Sequence, residues 1–197
     1  MRGRRLMMML LAGWGWTLVG CASTEPADDK DEAQASQPAA RIVVPAPTPR
    51  DGLIPVGQAA PDFEAMDHTG RLLRLGDLLA TQDVVLIFYP KDFTPVCTKQ
   101  LCAVRDDWTD FQNRRTIVLG VNPAEASEHA RFAAEHAFPF PVVSDPLARI
   151  AAGYGAKGDN PAFPKRTVYV IRKNGNVALS ERGVVGHDKI FAALDRP

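Results

Sequence analysis

A continuous apolar run at residues 84–89 (VVLIFY) limits the folds available to this chain more than any other feature. A strand that is apolar throughout must be buried on both of its faces, as happens at the centre of a sheet covered by helices on each side. Pro90 ends the run. Thr94-Pro95 then predicts the start of a helix, because threonine is a good N-cap and proline is favoured at the first helical position. A buried strand, a tight loop and a helix in this order indicate an α/β architecture.

The pattern continues in the same way from about Leu53 to the end of the chain. A second apolar run at 116–121 predicts another buried strand, and Asn174-Gly175 is a strong signal for a tight hairpin turn. We predict strands at 63–66, 71–75, 84–89, 116–121, 141–144, 167–172 and 177–182, and helices at 77–80, 94–113, 124–137, 147–153 and 187–194. Strands that alternate with helices and end in a hairpin and a helix predict a mixed sheet with helices on both faces, in a thioredoxin-like order.

The N-terminal segment has the composition of a secretory signal. Arg2, Arg4 and Arg5 precede an apolar run of 15 residues at 6–20. This run is too short for a membrane-spanning helix, which needs about 20 residues, but it has the length of the apolar core of a signal peptide. We expect residues 1–20 to be removed. Arg4-Arg5 leaves a twin-arginine signal as an alternative, although the rest of that motif is missing.

The signal ends in residues 18–21 (LVGC), which resemble the bacterial lipobox. In that motif small residues precede the cleavage point, and the cysteine accepts the lipid and becomes the new N-terminus. Cys21 is therefore the expected lipidation site, and the alternative is an ordinary signal beside a coincidental cysteine. Ala22 follows the cysteine instead of aspartate, which favours the outer membrane by the rule known in enteric bacteria. We expect a protein held in the cell envelope by its lipid and facing the periplasm.

Residues 22–52 differ in composition from the rest of the chain. They contain five prolines, seven alanines and an acidic cluster, with few large aliphatic side chains. Such a segment cannot bury enough apolar surface to offset its chain entropy. We therefore predict a flexible tether over 21–52 and one globular domain over 53–197. The whole chain balances 23 basic against 23 acidic residues, so we do not expect a nucleic-acid partner.

The segment at residues 89–102 (YPKDFTPVCTKQLC) contains the residues with the clearest chemical potential. With Thr94 as the N-cap, Cys97 is the third residue of the predicted helix. Free backbone N–H groups and the positive end of the helix dipole favour a thiolate at that position. A thiolate in such a setting is a reactive nucleophile at neutral pH. The plainer alternative is a buried structural cysteine.

This segment resembles the active site of the peroxiredoxins. Pro90, Thr94 and Cys97 fit the pattern PxxxTxxC, and Cys102, five residues after the first cysteine, is similar to the peroxiredoxin Q (bacterioferritin comigratory protein) subfamily. The resemblance covers nearly all of residues 53–197. Further matching segments are 144–146 (SDP), 152–155 (AGYG), 165–167 (KRT) and 186–187 (GH). The resemblance implies a thioredoxin-like fold and a thiol peroxidase that acts on peroxides.

The resemblance also implies a role for five residues. Cys97 is the expected peroxidatic cysteine, whose thiolate attacks the O–O bond, and Cys102 is the expected resolving cysteine. The Thr94 hydroxyl would hold the peroxide oxygen and the thiolate by hydrogen bonds, Arg166 would supply a fixed positive charge near the sulfur, and Pro90 would shield the site from water. The plainer alternatives are an N-cap for Thr94, a surface residue for Arg166 and a strand terminator for Pro90.

Helix geometry bears on whether the two cysteines form a static disulfide. On an intact helix, residues five apart have Cα atoms roughly 8–9 Å from each other, whereas a disulfide needs less than about 7 Å. We therefore predict a reduced helical state and an oxidised, locally unfolded state, rather than a static structural disulfide. The implied cycle runs through a sulfenic acid and an intramolecular disulfide, which a thioredoxin-like dithiol donor reduces. It needs no metal or organic cofactor, and we expect a monomer.

Three residues depart from the subfamily pattern. Gln100 stands where a glutamate is common, and Phe93 and Val96 stand where smaller or polar residues are usual. The two apolar residues make the mouth of the expected site more apolar. The sequence therefore suggests a preference for organic or lipid peroxides.

Other residues are assigned plainer positions, and two other functions stay open. His68, His129 and His136 are predicted to lie on the surface. One alternative function is an envelope-anchored, thioredoxin-like copper chaperone or dithiol electron carrier, with His187 as the distant histidine to test. Such carriers use CxxxC or CxxC spacing, whereas this chain has CxxxxC. A non-catalytic binding protein with the same fold is the other alternative.

Overall fold

The computed structural model describes residues 44–160 and 162–196. The predicted signal, Cys21 and most of the predicted tether lie outside the described residues. The strands are β1 (Glu64–Met66), β2 (Leu72–Arg74), β3 (Asp83–Phe88), β4 (Thr116–Asn122), β5 (Val142–Ser144), β6 (Thr167–Ile171) and β7 (Val177–Arg182). The helices are α1 (Leu75–Leu79), α2 (Pro95–Asp106), α3 (Trp108–Asn113), α4 (Ala126–Glu135), α5 (Arg149–Gly153) and α6 (His187–Leu194). Within the described ranges, no helix has the length and apolar character needed to cross a membrane.

Five strands form one mixed sheet in the order β5-β4-β3-β6-β7, and β1 and β2 form a separate hairpin. The strands β3, β4 and β5 run parallel, while β6 is antiparallel to β3 and β7 is antiparallel to β6. Gly175 forms the predicted tight turn between β6 and β7 with a φ of +84°, a conformation that glycine adopts without strain. The mixed α/β sheet predicted from the order of elements is confirmed.

The central strand β3 accounts for the apolar run with which the sequence constrains the fold. All six of its residues are buried. Alternate side chains belong to two separate core clusters, one on each face of the sheet. Leu86 lies in a cluster with side chains of α1 and α5, and Ile87 lies in a cluster with side chains of α2, α4 and α6. Full burial of each such side chain contributes about 1.5–3 kcal/mol.

The strand register decides which residues meet where β3 ends. Phe88 pairs with Val121 of the parallel β4 and with Thr167 of the antiparallel β6. Asn122, the last residue of β4, and Arg166, the residue before β6, therefore lie beside the loop that follows β3. Two residues far apart in the chain are thus brought to the edge where the predicted reactive helix begins.

The long helix predicted over 94–113 is two helices. α2 ends at Asp106 and α3 begins at Trp108, with Asp107 between them. The Asp107 carboxylate lies 2.6 Å from Nδ1 of His187 at the start of α6, a contact between residues 80 apart in the chain. The helical pattern of residues 94–113 gives no sign of a contact so far along the chain. The break at Asp107 was therefore not predictable from that pattern.

The folded unit begins before the boundary predicted at Leu53. The N–H of Arg50 donates to the carbonyl of Ala152 at 3.1 Å. Pro47 packs so closely on Gly153 that a Cβ at the glycine would lie 2.1 Å from the proline Cβ. Proline loses little conformational entropy on ordering and has no N–H to satisfy. The same residues that suggested a tether therefore allow an extended segment to dock without forming a helix or strand.

Candidate active site

Cys97 lies in the first turn of α2. The helix begins with Pro95 after Thr94, and the N–H of Thr98 donates to the Thr94 carbonyl at 2.9 Å. Cys97 is therefore the third helical residue, as the sequence predicts. It is 1% exposed, and its thiol is free. The unpaired N–H groups of a first helical turn carry the positive end of the helix dipole, which stabilises negative charge on a nearby sulfur.

The guanidinium of Arg166 contacts the sulfur of Cys97. Its Nη2 donates to Sγ at 3.0 Å, and its Nη1 donates to the side-chain oxygen of Gln100 on the same helix. Gln100 is buried. A neutral amide fixes the guanidinium without neutralising it, so the positive charge stays available to a thiolate. The sequence alternative of a plain surface arginine does not fit this geometry.

Thr94 and Pro90 both lie in the loop between β3 and α2. Oγ1 of Thr94 donates to the carbonyl of Lys91 at 3.0 Å, and within the described residues it makes no capping hydrogen bond to the helix. Thr94 thus occupies the N-cap position while its hydroxyl hydrogen is engaged elsewhere, which leaves lone pairs that can accept a hydrogen bond. Pro90 is the second residue after the end of β3 and is half-buried. The loop, the start of α2 and Arg166 lie together where β3 ends.

Cys102 lies on the same uninterrupted helix as Cys97. Because α2 runs from Pro95 to Asp106, helix geometry separates their Cα atoms by roughly 8–9 Å. Both thiols are free, and Cys102 is packed half-buried against the core cluster that contains Cys97. A disulfide would need Cα atoms within about 7 Å. The structure is therefore that of the reduced, helical pair.

Two apolar side chains close to Cys97 in the chain are exposed at the surface. Phe93 is 40% exposed and Val96 is 57% exposed. The Phe93 ring contacts Phe132 of α4 with ring centroids 4.9 Å apart, and the guanidinium carbon of Arg131 lies 5.9 Å from the centroid of the Phe93 ring. Exposed apolar side chains so near the cysteine in the chain can contact the organic part of a substrate.

The prediction that His129 lies on the surface is wrong, and its side chain contacts this loop. His129 is 0% exposed, and its Nδ1 lies 2.7 Å from Oδ2 of Asp92. Oδ1 of Asp92 accepts hydrogen bonds from the hydroxyl of Tyr89 and the side-chain amide of Asn122, each at 2.7 Å. The signal for burial was in the sequence: His129 stands three residues before the apolar Phe132, and this spacing puts both on one helix face.

The other predicted surface histidines, His68 and His136, are half-buried. Nδ1 of His68 accepts from the backbone N–H of Val142 at 3.1 Å. His187, which the copper-carrier alternative would need, is paired with Asp107. Among the described residues, no group of three or more His, Cys, Asp and Glu side chains is placed to hold a metal ion.

The phenol of Tyr89 keeps its proton in this setting. Burial raises the pKa of Tyr89 well above its ordinary value, and the charge of the adjacent Asp92 carboxylate adds to the rise. A protonated phenol donates its hydrogen bond to the carboxylate over the whole neutral pH range. Tyr89 therefore acts as a permanent donor to Asp92.

Relatives of this chain are peroxiredoxins. It is 40% identical to the chloroplastic peroxiredoxin Q of Arabidopsis thaliana over 124 residues, which are 62% of this chain and 57% of the relative. It is 36% identical to the chloroplastic peroxiredoxin Q of Oryza sativa subsp. japonica over 143 residues, which are 70% of this chain and 65% of the relative. The matched part thus spans less than two thirds of the length of these plant proteins.

Solved structures give the same result and confirm the thioredoxin-like fold. The crystal structure of the peroxidoxin BcpB from Mycobacterium tuberculosis has a TM-score of 0.67 and 34% identity, over 72% of this chain and 98% of that one. A structure of the bacterioferritin comigratory protein from Xanthomonas campestris, described for its alkyl peroxide reduction activity, has a TM-score of 0.62 and 26% identity, over 67% of this chain and 89% of that one. Residues 56–180 match the AhpC/TSA family. The chain therefore belongs to the AhpC/TSA family, and its relatives place it in the peroxiredoxin Q (bacterioferritin comigratory protein) subfamily.

Proposed function

We propose that this chain is a thiol peroxidase that reduces hydrogen peroxide and organic hydroperoxides with Cys97. The observation that carries the proposal is the contact of the Arg166 guanidinium with Sγ of Cys97 at 3.0 Å, in the first turn of a helix. The thiolate is the reactive form of cysteine, and an adjacent cation together with the helix dipole stabilises it. Membership of the AhpC/TSA family supports the same activity.

In the first step, the Cys97 thiolate attacks one oxygen of the peroxide. A sulfur–oxygen bond forms and the O–O bond breaks, so that the sulfur is oxidised by two electrons and the peroxide is reduced. The leaving oxygen takes a proton and departs as water or an alcohol, and a Cys97 sulfenic acid is left. The guanidinium of Arg166 stabilises the negative charge that moves from the sulfur to the leaving oxygen.

We assign supporting roles to Thr94 and Pro90 in this step. The hydroxyl hydrogen of Thr94 is donated to Lys91, so its oxygen can accept the hydrogen of the peroxide and orient it toward the sulfur. Pro90 is half-buried where β3 ends. Its ring has no N–H and keeps water from that side of the thiolate.

Cys102 is the proposed resolving residue. The start of α2 unwinds, and the Cys102 thiol attacks the sulfenic acid; a disulfide forms and water leaves. A thioredoxin-like dithiol donor then reduces the disulfide and is itself oxidised to a disulfide. This bond is proposed to be labile because the helix must be disrupted to form it.

Exposed apolar side chains near Cys97 in the chain favour organic hydroperoxides as substrates. Phe93 and Val96 are both exposed, and the related Xanthomonas campestris protein is described by its alkyl peroxide reduction activity. We expect a bulky organic hydroperoxide to react faster than hydrogen peroxide. Equal rate constants for the two would remove the support for this preference.

The proposed location is the cell envelope. Residues 1–20 have the order of a signal peptide, and Cys21 stands at the lipidation position. Lipid on Cys21 would anchor a monomeric peroxidase that faces the periplasm, with the outer membrane favoured by Ala22. The reductant would then have to act outside the cytoplasm.

Peroxide consumption by the purified full chain, supplied with a dithiol reductant, tests the proposal. We expect Cys97→Ser to abolish turnover. Cys102→Ser should allow one turnover, which ends with an oxidised Cys97 that mass spectrometry can identify. A wild-type chain that consumes no peroxide would refute the proposed function.

A further inference from the structure

A carboxylate of the active-site loop itself is buried, and the proposed chemistry does not use it. Asp92 is 1% exposed and stands two residues before Thr94. Its Oδ1 accepts from the Tyr89 hydroxyl and the Asn122 amide, and its Oδ2 lies 2.7 Å from Nδ1 of His129. A buried carboxylate is tolerated when such donors satisfy its lone pairs. We call these four residues, Tyr89, Asp92, Asn122 and His129, the Asp92 anchor.

The three donors come from three different elements of the fold. Tyr89 directly follows β3, Asn122 is the last residue of β4, and His129 lies in α4. Asn122 is held in turn, because its Oδ1 accepts from the N–H of Ala124 at 2.7 Å. The loop that carries Thr94 is therefore tied through one carboxylate to two central strands and a helix.

The next residue of the loop is held by the same helix. Phe93 has a φ of +56°, which is unfavourable for a residue with a Cβ. Its ring packs on Phe132, three residues after His129 in α4. Asp92 and Phe93 thus contact α4 at two consecutive positions. Such a backbone conformation persists only where surrounding contacts impose it.

Tyr89 connects the anchor to the helix that carries the cysteines. A Cβ added to Gly120 would lie 3.2 Å from the Tyr89 ring and 3.7 Å from Leu101 of α2. Tyr89, Leu101 and Cys97 belong to the same buried cluster. Close-packed side chains transmit a displacement to their neighbours, so a shift of Tyr89 reaches the first turns of α2.

We propose that the Asp92 anchor positions the active-site loop for peroxide attack and opposes the unwinding of α2 that disulfide formation requires. Asp92 and His129 are positioning residues in this scheme, since they act through the loop on Thr94 and Cys97 and do not touch the peroxide. This inference rests on the proposed peroxidase cycle and deepens it. In this scheme the anchor sets the ratio between the rate constants of peroxide attack and of disulfide closure.

The proposal makes the two steps respond in opposite directions. A weakened anchor lowers the rate constant of peroxide attack, because Thr94 and Cys97 are less well aligned. It raises the rate constant of disulfide closure, because the folded start of α2 loses support and its open form becomes more populated. A residue whose loss only lowers the fraction of folded protein would lower both apparent rate constants.

A pair of substitutions at His129 isolates one hydrogen bond of the anchor. His129→Leu removes the Nδ1 donor and keeps an apolar side chain of comparable size. His129→Asn keeps a donor, because the asparagine amide nitrogen takes the place of Nδ1. Tyr89→Phe removes a single hydroxyl, and it provides the test if His129→Leu does not fold. His136→Leu is the matched control, since His136 is the C-cap of the same helix and its imidazole packs on Phe132 and Phe138 without contacting Asp92.

Both rate constants are measured on the full chain with hydrogen peroxide. Attack is followed in a Cys102→Ser background, where the sulfenic acid cannot be resolved. Closure is followed with both cysteines present, at peroxide concentrations where disulfide formation no longer depends on peroxide. Rapid quenching and mass spectrometry of the cysteine peptides give the two values.

We expect His129→Leu to lower the rate constant of attack about tenfold and to raise that of closure several-fold. Tyr89→Phe should change both rate constants in the same directions by smaller factors. His129→Asn and His136→Leu should keep both rate constants close to those of the wild type. Any other pattern overturns the proposal. Equal falls in both rate constants would mean a structural role only, and unchanged values would mean that the loop does not depend on the anchor. A wild-type chain that consumes no peroxide would instead refute the proposed function, so the two failures are distinguishable.

Discussion

Two acidic groups lie near the loop between β3 and α2, and they are held in different ways. The sulfur of Cys97, as a thiolate, is held by Arg166, a half-buried cation at the end of a long side chain. The carboxylate of Asp92 is held by three fully buried groups, of which the phenol and the amide are neutral. The sulfur changes its charge and its covalent partner during the proposed cycle, and it is held by one cation, which the Gln100 amide fixes in place. The carboxylate does not react. Its three donors lie in or directly after β3, β4 and α4, so holding it costs little further side-chain entropy.

Because the Cys97 sulfur and the Asp92 carboxylate are held differently, we expect their contacts to affect different properties. The free energy of unfolding should depend most on the contacts of the Asp92 carboxylate. Asp92→Ala leaves three buried donors without an acceptor, so we expect the free energy of unfolding to fall by about 3 kcal/mol. Urea denaturation measures this loss. Asp195→Ala is the control, since Asp195 is exposed in its ion pair with Arg114 and such pairs contribute less than about 1 kcal/mol. Similar losses for both variants would contradict the comparison.

Activity should depend most on the cation. Arg166→Gln removes the positive charge beside the sulfur, and we expect the rate constant of peroxide attack to fall about 100-fold. The accompanying loss of stability should stay below about 1 kcal/mol, because Arg166 is only half-buried. Arg166→Lys should lose less activity, since it keeps the charge but not the two-pronged contact with Cys97 and Gln100. Stopped-flow measurement of attack checks the order, and a wild-type rate constant in Arg166→Gln would contradict it.

The smallest expected effect appears only at high pH. Burial raises the pKa of Tyr89 above its ordinary value, so the folded state holds this proton more tightly than the unfolded state does. The resulting stabilisation is complete below about pH 10, the ordinary pKa of tyrosine, and is lost as the pH rises through the folded-state pKa. Tyr154 and Tyr169, whose pKa values burial also raises, act in the same direction.

Tyr89→Phe should therefore reduce, but not abolish, the fall of the unfolding free energy between about pH 9 and pH 11. Urea denaturation at several pH values gives this slope for the variant and the wild type. An unchanged slope would mean that the Tyr89 hydroxyl does not titrate differently in the folded and unfolded chain.

Much of the fold could be predicted from the sequence because its signals are local. The apolar run 84–89 predicted a doubly buried strand, and β3 is buried throughout. Thr94-Pro95 predicted the start of a helix with Cys97 at its third position, and α2 begins there. These features depend on residues within one or two turns of each other, where propensity, capping and periodicity act.

The predictions that were wrong or incomplete involve contacts between distant segments. His129 was assigned to the surface, but its burial depends on a carboxylate 37 residues away in the chain. Asp107 interrupts a helix that is continuous in its pattern, and its partner lies 80 residues away. Residues 44–52 have the composition of a tether, yet Pro47 and Arg50 contact α5. Composition and periodicity do not identify such partners, although the spacing of His129 from Phe132 does indicate a buried helix face.

The sequence by itself determined the order of the elements, the position of Cys97 at a helix start and the spacing of the two cysteines, since all three depend on neighbours along the chain. Only the tertiary structure decided that Arg166, 69 residues from Cys97, donates to its sulfur, and that the Asp92 anchor assembles beside the loop. The physical reason is the strand register. Pairing of β3 with the parallel β4 and the antiparallel β6 brings residues from three separate segments to one edge of the sheet.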